Sequence, residues 1–135
     1  MDTHLILEAA QATLAGTKPF PEIVAMLTAA GVEYYHVDYV GRSKSFYGER
    51  GDRVVTPLTF EGLPDVAAEL DLTGLRAAIL DSQQNGQHFR DFSRRAMAAG
   101  VQGYFAFLRG RRVTYFGRNG DHHVEWFPGT KPAGT

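Results

Sequence analysis

"AAGVEYYHVDYVGR" (residues 29–42) returns later in the chain as "AAGVQGYFAFLRGR" (residues 98–111). Shifting the chain by 69 positions and comparing residues 29–55 with 98–124 gives 11 identical pairs in 27, without a gap. Chance agreement in such a window is about one or two, so the sequence reads as an internal duplication. Among the matched pairs are Gly31/Gly100, Val32/Val101, Tyr35/Tyr104, Gly48/Gly117 and Asp52/Asp121.

Working outward from the repeat, each matched residue has a physical task. Upstream of Gly31, "FPEIVAMLTAA" sets Ile23, Leu27 and Ala30 on one helical face, and "FRDFSRRAMAA" sets Phe92, Ala96 and Ala99 at the same places. Pro21 suits a first helical turn, where its missing N–H costs nothing. Gly31 and Gly100 fall where those helices must stop, because glycine accepts the left-handed conformation that closes a helix. A second helix precedes each unit, in "THLILEAAQATLAG" (3–16) and "LTGLRAAILDSQQNG" (72–86).

Downstream, three strands are expected in each half. In the second they are "VQGYFAFL" (101–108), "RRVTYFG" (111–117) and "HHVEWF" (122–127), with turns at Arg109-Gly110 and at Asn119-Gly120. In the first they are "VEYYHVDYV", "RSKSFYG" and "RVVT", closed by Pro57. The fold class is therefore α+β: two helix-helix-three-stranded-meander units, strands antiparallel, helices mainly on one face. Such units pair about a pseudo-twofold axis, because neither buries its apolar face alone. Unit one spans 3–57, a linker 58–71 with a short helical turn expected at 64–70, unit two 72–127, and a flexible tail 128–135.

Composition fits a single domain over 1–135, with 44% apolar and 21% charged residues. A net charge of −1 gives no global pull toward nucleic acid or an anionic membrane. The absence of cysteine excludes disulfides and thiolate metal sites. The N-terminus lacks a basic start and long apolar core, and no apolar run approaches the roughly 18 residues of a membrane span, so a cytoplasmic location is expected.

The stretches "PFPEIVAMLTAAGVEYYHVDYV", "LRAAILDSQQNG" and "AAGVQGYFAFLRGRRVTYFGRNGDHHVEWFP" resemble the YdfO-like family of small bacterial and prophage-carried proteins. The resemblance covers nearly the whole chain. It implies a compact α+β domain. It carries no catalytic residues across, and the label "phage envelope protein" given to some members names no mechanism.

Four groups of residues are candidates for function. Strand alternation puts His36 and Asp38 on one face, where they could share a ligand or the aspartate could orient the imidazole. On the last strand His123 and Glu125 share a face with Asp121; a metal there would need His36 or Asp38 from another strand, because same-face neighbours stand about 7 Å apart. Arg109, Arg111, Arg112 and Arg118 form a basic cluster that could grip phosphates, although the overall charge makes nucleic acid an unfavoured partner. Finally, strand 101–108 is apolar on both faces. Helices can cover only one, which leaves Phe105 and Phe107, with Tyr104 and Trp126, as an interface or ligand patch.

No G-x-S-x-G, phosphate loop, H-E-x-x-H or dinucleotide fingerprint occurs. No cofactor or resident metal is expected, and the reading leans away from an enzyme. The leading expectation is a binding or protein-interaction module, a possible homo-oligomer, acting through the aromatic sheet face. The alternatives are a small metal-binding protein or enzyme using His36, Asp38, His123 and Glu125, and a weak nucleic-acid binder through the arginines 109–112.

Overall fold

An aspartate opens each copy. The Asp2 carboxylate accepts the Leu5 N–H and the Asp71 carboxylate the Gly74 N–H, each at 3.0 Å. These caps satisfy donors that the first helical turn leaves unpaired. They start α1 (Thr3–Ala15) and α3 (Leu72–Asn85) in a computed structural model that describes residues 1–132. The same aspartates donate their backbone N–H groups to the ends of the following helices, Asp2 to Ala30 O at 2.8 Å and Asp71 to Ala99 O at 2.7 Å. Those helices are α2 (Phe20–Ala29) and α4 (Phe89–Ala98), equivalent residue for residue under the 69-position shift. Each ends before a glycine with positive φ, Gly31 at 88° and Gly100 at 91°.

The meanders follow as β1 (Val32–Asp38), β2 (Ser43–Gly48) and β3 (Arg53–Pro57), then β4 (Val101–Phe107), β5 (Arg112–Gly117) and β6 (His122–Trp126). They form one six-stranded sheet in the order β3-β2-β1-β4-β5-β6, with every neighbouring pair antiparallel. The two copies thus join edge to edge through β1 and β4. The join is symmetric: Tyr35 faces Ala106, and the shifted pair, Tyr104 and Val37, also face each other. Beyond the strand ends, Tyr39 N–H donates to Gln102 O and Leu108 N–H to Glu33 O, both at 3.0 Å, again exchanging copies. The expected duplication about a pseudo-twofold axis is therefore present in the hydrogen bonds themselves.

All four helices lie over one face. α2 packs on β1, α4 on β4 and α1 on β3, with α1 against α2 and α3 against α4. Ile6, Leu27, Val37, Tyr39, Phe46, Leu75, Met97 and Val101 are fully buried between the helices and the sheet. Each such side chain contributes about 1.5–3 kcal/mol of transfer free energy. Four tyrosines, Tyr35, Tyr39, Tyr104 and Tyr115, are buried here, and desolvation raises every one of their phenols above the ordinary value. The Tyr39 and Ser93 hydroxyls are hydrogen-bonded at 3.0 Å.

One expectation needs correction. Residues 64–70 form no helical turn. The segment instead follows the end of α4, where Ala67 N–H donates to Met97 O at 3.1 Å, and Leu63, Val66 and Leu70 pack singly on the core. In the β1–β2 and β4–β5 turns the left-handed residue is not the glycine but the arginine after it, Arg42 (φ 57°) and Arg111 (φ 58°). Gly41 serves close approach: a Cβ there would run into the Asp38 carboxylate, which accepts the Gly41 N–H at 2.8 Å. In the expected tail, the Thr130 hydroxyl bonds the Phe127 carbonyl at 2.7 Å, and residues 133–135 lie outside the described residues.

Candidate functional site: the helix-free face of the sheet

Because strand residues alternate, the sheet presents a second face that no helix covers among the described residues. Register builds it in rows. One row runs Arg53, Tyr47, Tyr34, Phe107, Arg112, Trp126. The central row runs Val55, Ser45, His36, Phe105, Thr114, Val124. The third includes Ser43, Asp38, Gly103, Phe116 and His122. The rings named here are half-buried, apart from the exposed His122, in contrast to the buried side chains of the opposite face.

The rings touch in an unbroken diagonal. Tyr47 stacks on Tyr34 (centroids 4.9 Å), Tyr34 meets Phe107 (5.8 Å), Phe107 stacks with Phe105 (5.9 Å), Phe105 meets Phe116 edge-on (6.3 Å) and Phe116 reaches His122 (6.2 Å). His36 stacks on Phe105 at 4.3 Å with 18° between the planes. Tyr47 with Tyr34, and His36 with Phe105, stack from one strand to the next and so turn ring faces toward each other. Charge on this face is sparse. Arg53 is exposed at the β3 edge, Arg112 lies over the Trp126 ring at 4.2 Å, and Asp38 is held by the turn. Burial lowers the His36 pKa, opposed by the charge of Asp38.

The structure sorts the candidate residues. Phe105, Phe107 and Trp126 are on the helix-free face, but Tyr104 is not. It points into the helix-covered core against Tyr39, Tyr115 and Phe92, since it is out of phase with Phe105 by one residue. His36 and Asp38 lie on the helix-free face. His123 and Glu125 lie on the other face, at the sheet edge, where His123 Nε2 and Glu125 Oε2 are 2.9 Å apart. The four do not converge, and no group of three or more metal-ligating side chains exists among the described residues. The arginines are scattered as well. Arg109 pairs with Glu33 (3.0 Å) and Glu49 (3.7 Å) at one end of the sheet, while Arg118 donates to Val66 O at the other.

Sequence reasoning missed Tyr47 and Phe116, which hold the same position in the two copies and extend the diagonal over β2 and β5. Alternation carried one strand further would have placed both. It also missed Lys44, whose phase with Phe46 sends it inward.

No family model matches the chain. An uncharacterized protein of Mycobacterium bovis and one of Mycobacterium tuberculosis are each 30% identical to it over 137 residues, covering 95% of this chain and 80% of theirs.

Proposed function

The chain belongs to the family of these uncharacterized mycobacterial proteins, and we propose that it is a non-enzymatic interaction module that associates with a second copy of itself through the helix-free face of the sheet. The observation that carries this reading is the unbroken ring diagonal from Tyr47 to His122 on a face with no second layer among the described residues. An apolar sheet face completes its packing when another side-chain layer interdigitates with it about 10 Å away.

Three features favour a second copy over nucleic acid. Several ring faces are already taken by stacking within the face, whereas bases need free ring faces to stack on. The face carries few charges, so two copies meet without strong repulsion. Six strands by five residues make about 29 by 17 Å, a flat footprint near 500 Å² before side-chain relief, approaching the ~800 Å² each partner gives to a stable interface. Kinship with the YdfO-like proteins is part of this proposal and rests on the sequence stretches alone. Among the described residues no helix is long and apolar enough to cross a membrane, and a cytoplasmic location fits the reading.

Sedimentation equilibrium of the wild-type chain, Phe105→Ser and Phe107→Ser tests it. The wild type is expected to dimerise with a dissociation constant of about micromolar order, and both variants to stay monomeric with native circular dichroism. A wild type that remains monomeric at every accessible concentration overturns the reading. So does loss of native circular dichroism in both variants, which would make the rings part of the folded core.

A further inference from the structure

Lys44 stands where the second copy has Val113. Its side chain enters the helix-covered core and is 3% exposed. The Nζ lies 4.8 Å from the Tyr35 ring centroid and 5.2 Å from those of Phe46 and Phe89. Among the described residues no carboxylate is within ion-pair distance of it. Directly across the β2–β3 ladder is Thr56, 5% exposed, whose Oγ1 is buried with no hydrogen-bond partner.

A cation with only π partners thus sits beside a hydroxyl with none, on one face and in one register. The orphaned hydroxyl is expensive in a folded interior, and so is a charge held among apolar rings, even though among the described residues only the Thr56 oxygen is sealed off without a partner. The fold itself does not require them, because the second copy builds the same corner with Val113 opposite Glu125. Burial pulls the Lys44 amine down to about 8. Groups retained at such a cost, in one copy only, point to a ligand.

We propose that Lys44 and Thr56 form a binding site for a small organic carboxylate. The ammonium pairs with the carboxylate, Thr56 Oγ1 donates to its second oxygen, and the apolar body lies between the half-buried rings of Phe60 and Phe89. The way in is closed by Phe60, on the irregular 58–71 segment, and Phe89, at the start of α4; these half-buried rings touch, with centroids 5.6 Å apart, so a ligand must part them. The site is on the opposite side of the sheet from the ring diagonal and does not depend on it.

The test is a heteronuclear NMR titration of the full chain with benzoate, and with inorganic phosphate as a probe lacking the apolar body. Benzoate is expected to give saturable shifts at Lys44, Thr56, Phe60 and Phe89, and phosphate to bind at least fivefold more weakly. Lys44→Met should lose the response while keeping native circular dichroism, and Thr56→Val should weaken benzoate at least fivefold. Shifts scattered over surface arginines and lysines, or benzoate binding to Thr56→Val with wild-type affinity, overturn the site. Thr56→Val keeps the test decisive if Lys44→Met fails to fold.

Discussion

His36 and Phe105 face each other across the β1–β4 ladder, with ring centroids 4.3 Å apart, and they are the same position in the two copies. The pseudo-twofold axis therefore passes between an imidazole and a phenyl ring. The duplicated unit has been made different at its own centre, on the face proposed to bind.

His36→Phe restores the symmetric pair. Because burial holds the folded His36 pKa below its ordinary value, the unfolded chain takes up a proton first as pH falls, and wild-type stability drops through that range. The variant should lose this contribution. Its unfolding midpoint should therefore exceed the wild type's by more at pH 5.5 than at pH 8, as read by thermal denaturation at the two pH values.

Lys44→Met should stabilise the isolated protein at pH 7 by roughly 1–3 kcal/mol, because a buried charge without a counter-ion gives way to an apolar chain of similar length. The sign follows from proton uptake. Between pH 8 and 10.5 the unfolded chain keeps a lysine proton that the folded chain has released, so wild-type stability rises with pH there. Above about pH 10 the four buried tyrosines oppose this, since the unfolded chain loses phenolic protons that the folded chain retains. Urea denaturation from pH 7 to 10 should show a rise in the wild type and none in Lys44→Met.

Gly31 and Gly100 are equivalent in sequence and in φ, yet they should respond differently to alanine. A Cβ at Gly31 has ordinary contacts with Met1, at 3.7 Å or more, so Gly31→Ala should cost about 1 kcal/mol of backbone strain. A Cβ at Gly100 would run into the Glu69 carbonyl oxygen. Gly100→Ala should therefore cost about 2 kcal/mol more than Gly31→Ala in urea denaturation.

The Tyr39–Ser93 hydrogen bond crosses from β1's end to α4 inside the core. Removing one partner should cost about 1–3 kcal/mol, with a positive coupling in the Tyr39→Phe/Ser93→Ala double-mutant cycle. Additive single effects would show that the two hydroxyls do not act as a pair.

Local chemistry made much of this molecule readable before its coordinates. Periodicity gave the helices, Gly31 and Gly100 their ends, and alternation the phase of β1, β4 and β6. What alternation leaves open is which strand edges of the two units meet, since β1–β4 pairing joins residues far apart in the chain. It also leaves open which face the helices take when both are apolar, and Tyr104 was grouped with Phe105 for that reason. Lys44 is not legible either, because an isolated lysine in a half-polar strand reads as solvent-facing. Only its register beside Thr56, under Phe89, shows it to be enclosed.

The central claim is that the ring diagonal is a self-association surface. Concentration-dependent NMR of the aromatic side chains tests it most directly. The account predicts that dilution shifts the resonances of Tyr34, His36, Tyr47, Phe105, Phe107 and Phe116 together, while those of Tyr39, Phe46 and Tyr104 stay fixed. Spectra unchanged on dilution over the whole accessible range, or changes confined to the helical side, would contradict it.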